Sequence, residues 1–160
     1  MKNILEQKVY YSDTDAYGVV WHGSYLRWME MGRVELCEEA GLNLINLEAQ
    51  DIAMPVTNMN VRYKASARLN DVVVVETSIK EMSAIRLTFE QTIRNKADGK
   101  LFIKAEFEVV AIHNDGSIYR KLPENLQICI DKRRFPRYNM RRKQRRSGST
   151  ATHLQLLRRG

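Results

Sequence analysis

Cysteine is scarce. The 160 residues hold two, Cys37 and Cys129, with no CxxC pair and no histidine-rich segment to accompany them. This excludes a disulfide framework and supplies no zinc-ligand spacing. No other metal constellation appears, and nothing in the chain calls for a cofactor. Long apolar runs are missing as well: none approaches the ~18 residues that a membrane-spanning helix requires. The start, MKNILEQKVYY, interrupts its apolar stretch at Glu6-Gln7-Lys8 and lacks the core of a secretory signal. The expectation is a soluble, cytoplasmic protein.

Acidic residues are absent from Lys132 to Gly160, a stretch that carries 11 Lys and Arg. The formal charge of +7 therefore belongs to that segment, and everything before it is net acidic. Its dense like charge and its Ser/Gly/Thr stretch read as an appended tail. The division is a folded domain over residues 1–131 and a basic tail over 132–160. The tail admits two readings, a solvated extension or an element contacting nucleic acid or anionic membrane. With 44% hydrophobic residues, the rest is enough for one domain with a core of its own.

What is present begins with a change of period. EQKVYYS reads as a first strand. From Ser24 to Ala40 the residues Tyr25, Trp28, Met29, Gly32, Leu36 and Ala40 recur at steps of three and four, as in an amphipathic helix, and Gly41 suits a left-handed cap. After NLINLEAQ the period becomes two. MPVTNMNVRYKA, NDVVVVETSIKEM, AIRLTFEQTIRN and KLFIKAEFEVVAIHN read as four strands, with KADGK and HNDGS as turns. Pro123 opens a short last helix. One long helix against a curved antiparallel sheet is a two-layer α+β unit. Its open sheet edges, and a Val72–Val75 run apolar on both faces, predict a homo-oligomer.

The stretch YYSDTDAYGVVWHGSYLRWMEMGR, residues 10–33, places Asp13 and Asp15 just before the long helix, with Gly18 and Gly23 around VVWH. Two readings follow from the residues alone. The aspartates can be turn residues bonded to their own backbone. Alternatively, a carboxylate faces the unpaired amides of a helix N-terminus, which is the arrangement acyl transfer needs. Glu30 and Arg33, three apart on the helix, read as an exposed pair worth a few tenths of a kcal/mol.

This pattern, D-x-D-x-x-G-V-V-x-H-x-x-Y, resembles the signature of the hotdog-fold acyl-CoA thioesterases of the 4-hydroxybenzoyl-CoA thioesterase and YbgC-like type. The resemblance continues through MPVTNMNVRYKASARLNDVVVVET to about Ile130 and leaves out the tail. It implies a hotdog fold, a central helix wrapped by an antiparallel sheet, that dimerises edge to edge and often pairs into tetramers. It implies hydrolysis of an acyl-CoA, aromatic or short-chain, to free acid and CoA. Asp15 corresponds to the family's catalytic carboxylate, nucleophile or general base, and Asp13 to a residue that holds the loop. The amide at His22 polarises the thioester oxygen, and the imidazole is a second catalytic candidate. Tyr25, Asn58, Met59 and Asn60 correspond to positions near the acyl pocket.

Coenzyme A phosphates need cations or amides. Where benzoyl-type relatives carry a basic cluster after the Lys80-Glu81 position, this chain has MSAIR. Arg62, Lys64 and Arg86 are the candidates that remain. Trp21, Trp28, Tyr17 and Tyr25 suit either an aromatic acyl group or the core. An acyl-carrier-protein thioesterase and a non-catalytic acyl-binding hotdog protein are the alternatives to the acyl-CoA hydrolase.

Overall fold

The computed structural model describes residues 2–43 and 46–130, so the boundary at 131 and the basic tail lie outside the described residues. The chain runs β1 (Lys2–Lys8), α1 (His22–Glu39), β2 (Val56–Tyr63), β3 (Val72–Met82), β4 (Arg86–Asn95), β5 (Leu101–Val110) and α2 (Glu124–Ile130). The strands form a five-stranded sheet in the order β1-β3-β4-β5-β2, every neighbouring pair antiparallel. Alternation explains which face is buried: Leu87, Phe89, Gln91 and Ile93 of β4 pair with the inward row Val109, Phe107, Ala105 and Ile103 of β5. Against that face lies α1, which presents Tyr25, Trp28, Met29, Gly32, Arg33 and Leu36.

The first strand departs from expectation. It occupies Lys2–Lys8, paired with Ser78 through Val72, and ends before Tyr10. Tyr11 and Ser12, expected to end the strand, instead belong to a 3₁₀ turn over Tyr11–Asp13. The Asp13 carboxylate accepts from the Tyr10 amide and offers a local bond that strand pairing would have to displace. The long helix begins at His22, two residues earlier than the apolar pattern suggested.

Arg33 corrects the sequence reading more sharply. Its side chain is buried, with the residue 7% exposed, rather than sitting on a solvent face. Nη1 donates to Gln91 Oε1 at 2.8 Å, the guanidinium lies 4.1 Å from the centre of the Phe107 ring, and Glu30 supplies the counter-charge. Gln91 in turn donates to the Met29 carbonyl and to Thr77 Oγ1 at 2.8 and 2.7 Å. A β-carbon on Gly32 would fall 2.5 Å from Thr77 Oγ1, so the glycine lets helix and sheet close around this polar knot. Burial lowers the Arg33 pKa from its ordinary value, and Glu30 opposes the shift.

The two sheet edges differ. On β1, Lys2 pairs with Glu76 and Glu6 with Lys96, so charge guards that edge. Strand β2 is exposed along nearly its whole length, Met59 at 56%. Among the described residues no helix is long and apolar enough to cross a membrane.

Candidate active site

The loop between β1 and α1 is held by backbone bonds that fold it back on itself. Thr14 and Val20 form an antiparallel bridge, the Asp15 amide donates to the Val19 carbonyl, and the Gly18 amide donates to the Asp15 carbonyl. Gly18 sits at φ +70°, the left-handed region that this tight return demands and that a side chain resists.

The two aspartates have different surroundings. Asp13 is 2% exposed. Its carboxylate accepts from the Tyr10 amide and pairs with Arg27 on α1, while its carbonyl accepts from the Trp21 amide at 2.9 Å and the Ser24 hydroxyl at 3.2 Å. It fastens loop to helix and has little capacity left over. Asp15 is half-buried, and its Oδ1 accepts from the Tyr17 amide at 2.9 Å. That bond orients the carboxylate while Oδ2 makes no bond to the described residues.

Beyond the loop, α1 starts without a side-chain cap. The Ser24 amide is taken by the Trp21 carbonyl, which leaves the His22 and Gly23 amides as donors without an intrahelical acceptor. Together with the helix dipole, these make a local positive end. His22 is exposed, with its ring centre 4.9 Å from that of Trp21. The same Trp21 ring covers Gly23, where a β-carbon would lie 2.2 Å from it. A carboxylate oxygen without a bonding partner among the described residues and two uncapped amides on neighbouring segments can activate a nucleophile and receive a developing oxyanion.

The other candidates fall into distinct places. Tyr25 is buried; its hydroxyl accepts from the Ala67 amide at 2.8 Å, its ring meets Trp28 edge-on, and burial raises its pKa. Asn58, Met59 and Asn60 are exposed on β2, with Met59 on the helix side opposite Phe107 and the asparagines on the outer face opposite Glu108 and Glu106. Arg62, near the end of β2, shares the outer-face alternation of Asn58 and Asn60, and Lys64 follows just past the strand. A cavity of about 270 Å³ on that outer face is lined by Asn60, Arg62, Lys104, Ala105 and Glu106. Arg86 stands apart from them. It is paired with Glu108, and its β5 neighbour Val110 lies six residues beyond Lys104, the neighbour of Arg62. At ~3.3 Å per residue this is about 20 Å along the sheet. Of the aromatics, Trp28 and Tyr25 belong to the core, whereas Tyr17 and Trp21 are exposed.

Sequence reasoning passed over Tyr63. It ends β2, is 48% exposed, meets Tyr25 edge-on at 6.1 Å and reaches the His22 carbonyl with its hydroxyl. Its place on the alternating row Met59-Val61-Tyr63 was the available signal.

A family model for the thioesterase-like superfamily matches residues 9–136. The acyl-CoA thioester hydrolase YbgC of Escherichia coli O6:H1 is 38% identical over 119 residues, covering 74% of this chain and 88% of its own. The 4-hydroxybenzoyl-CoA thioesterase of a Pseudomonas species is 24% identical over 134 residues, covering 78% of this chain and 95% of its own. Among solved structures, the crystal structure of Slr0204, a 1,4-dihydroxy-2-naphthoyl-CoA thioesterase from Synechocystis, superposes with a TM-score of 0.75 at 25% identity. It covers 81% of this chain and 96% of that one.

Proposed function

The chain belongs to the thioesterase-like superfamily and is by that kinship an acyl-CoA thioester hydrolase of hotdog fold; from this premise we propose that Asp15 and the N-terminus of α1 carry the reaction. The observation behind the proposal is the contrast within the loop. Asp15 alone of its two aspartates keeps an oxygen with no partner among the described residues, on the loop whose Asp13 carbonyl accepts from the Trp21 amide at the uncapped helix start.

In this reading the thioester oxygen rests on the His22 amide, where the helix end stabilises the charge that develops as the carbonyl becomes tetrahedral. Asp15 supplies the electron pair, either by attacking the carbonyl carbon or by taking a proton from the attacking water. The C–S bond then breaks and sulfur leaves as the CoA thiolate. In the nucleophilic route water next hydrolyses the acyl–Asp15 anhydride, releasing the acid and restoring the carboxylate, so that either route adds one water across the thioester. The exposed His22 imidazole is the second candidate for proton transfer. Asp13 holds the loop through Arg27, Ser24 and the Trp21 amide. Arg62 and Lys64, cations at the end of β2, are the proposed contacts for CoA phosphates.

The exposed β2 edge, with Met59, Tyr63 and the two asparagines, supports a homo-oligomer in which a second copy covers this strand beside the site. Dimer and tetramer share that first contact. A cytoplasmic location completes the proposal and rests on the family alone.

The test is thiol release from benzoyl-, butyryl- and hexanoyl-CoA, with an acyl-carrier-protein thioester as a further arm. Wild type is expected to release CoA, and Asp15→Asn to lose most of the rate while remaining folded. Binding of acyl-CoA without release would instead indicate an acyl-binding protein, and wild-type turnover by Asp15→Asn would remove Asp15 from the mechanism.

A further inference from the structure

The hydroxyl of Tyr63 lies 3.4 Å from the carbonyl oxygen of His22. That carbonyl belongs to the peptide whose N–H is carried by Gly23, the second residue of α1. A hydrogen bond received at one end of a peptide polarises the whole unit and makes its N–H a stronger donor. The Gly23 amide is free to use that gain, because it has no intrahelical acceptor and the next amide, that of Ser24, is already bonded to the Trp21 carbonyl.

The surroundings hold both groups in place. Tyr63 ends an edge strand and meets Tyr25 edge-on, and Tyr25 is itself fixed by the Ala67 amide. On the other side, the Trp21 ring packs over Gly23, where a β-carbon would fall 2.2 Å from it and have to displace it. A tyrosine hydroxyl keeps its proton at neutral pH and is available as a donor, and burial raises the Tyr63 pKa further in the same direction. A separation of 3.4 Å is long for an O–H···O bond; bonds of this kind tighten as charge develops in the transition state.

We propose that Tyr63 is a positioning residue for thioester hydrolysis: its hydroxyl loads the His22–Gly23 peptide, so that the Gly23 amide becomes a second donor to the thioester oxygen beside the His22 amide. The inference rests on the functional reading above and adds to it a residue from a different element of the fold.

Tyr63→Phe in the full chain tests it on whichever of benzoyl-, butyryl- or hexanoyl-CoA the wild type hydrolyses fastest. The expected result is kcat lower by roughly three- to ten-fold, short of the ~100-fold that follows loss of an oxyanion donor outright, with KM and melting temperature little changed. The infrared stretch of the substrate carbonyl, read in the Asp15→Asn background, should move back toward its free-solution frequency when Tyr63→Phe is added. A purely structural tyrosine would not move it. Tyr63→His keeps a ring donor and should retain more kcat than Tyr63→Phe.

Unchanged kcat in folded Tyr63→Phe overturns the inference, as does a loss carried by KM alone, failure of Tyr63→Phe to fold, or the reverse order of the two variants. An active wild type with an unaffected Tyr63→Phe removes this inference and leaves the functional reading standing. A wild type that releases no thiol removes both.

Discussion

At its C-terminal end α1 closes on Gly41, held at φ +90°, whose amide donates to Glu38 while the Leu42 amide donates to Cys37. The segment that follows is fastened again. Asp51 bonds His113 Nδ1 at 2.6 Å and the Asn114 amide at 2.9 Å, and Tyr119 stacks on the His113 ring and donates to the Asp51 carbonyl. The N-terminal end has the same kinds of groups, carboxylate, histidine, aromatic rings and amides, in another state. Its amides are uncapped, His22 and Trp21 face solvent, and Asp15 spends only one oxygen on its own turn. A histidine beside an aspartate is thus no guide by itself to chemistry here. Spare bonding capacity at the surface distinguishes the two ends, because a group already satisfied must break a bond before it can serve a substrate.

The largest expected effect tests that distinction directly. Asp15→Asn should cut kcat by about 100-fold or more, the range for losing a positioned base or nucleophile, without lowering the melting temperature. Asp51→Asn, at the closed end, should leave thiol release at pH 7 unchanged. Equal losses in both would break the comparison.

Asp13→Asn comes next and should act on stability. Its buried carboxylate serves the Tyr10 amide and Arg27, so weakening both contacts should cost about 1–3 kcal/mol in urea unfolding. A turnover loss as deep as that of Asp15→Asn in a variant of wild-type stability would show that the two aspartates share one role.

Substituting the two helix-end glycines sharpens the contrast further. Gly41→Ala forces a β-carbon into the left-handed region and should cost about 1 kcal/mol, with kcat unaffected. Gly23→Ala should instead push aside the exposed Trp21 ring and lower kcat/KM with little change in melting temperature. A stability loss at Gly23 larger than at Gly41 would reverse the assignment of which end is built for packing.

The smallest effect is a pH dependence. The hydrogen bond to His113, followed by the Asn114 amide, holds the Asp51 carboxyl below its usual range. A lowered carboxylate pKa means that its pairing contributes at neutral pH and is lost as pH falls through that depressed value. Wild type should therefore lose melting temperature on acidification below about pH 4, and Asp51→Asn should lose less over the same interval. Identical curves would show that the pairing contributes nothing measurable, as exposed ion pairs often do.

Much of the architecture was legible because its signals are local. Alternation through Leu87, Phe89, Gln91 and Ile93 identified a half-buried strand, and the three-and-four spacing from Tyr25 to Leu36 identified the helix and its buried stripe. Gln91 was also a warning: a polar residue in a buried row needs a partner. That partner is Arg33, 58 residues away in sequence, which periodicity placed on the surface beside Glu30. Tyr63 escaped notice for a related reason, since its bond to His22 spans 41 residues.

By itself, then, the amino-acid order determined the succession of strand, helix and four strands, the turn positions and the motif that places two aspartates before a helix. Those depend on dihedral preferences and on periods of 2 and 3.6, which act over a few residues. Tertiary structure alone decided that Asp13 is sealed and Asp15 open, that Tyr25 and Trp28 are core while Trp21 and Tyr63 flank the helix start, and that Arg33 lies under the sheet. Burial and bonding partners are set by which distant segments pack together, and sheet register, which brings residues dozens of positions apart into contact, is what assigns them.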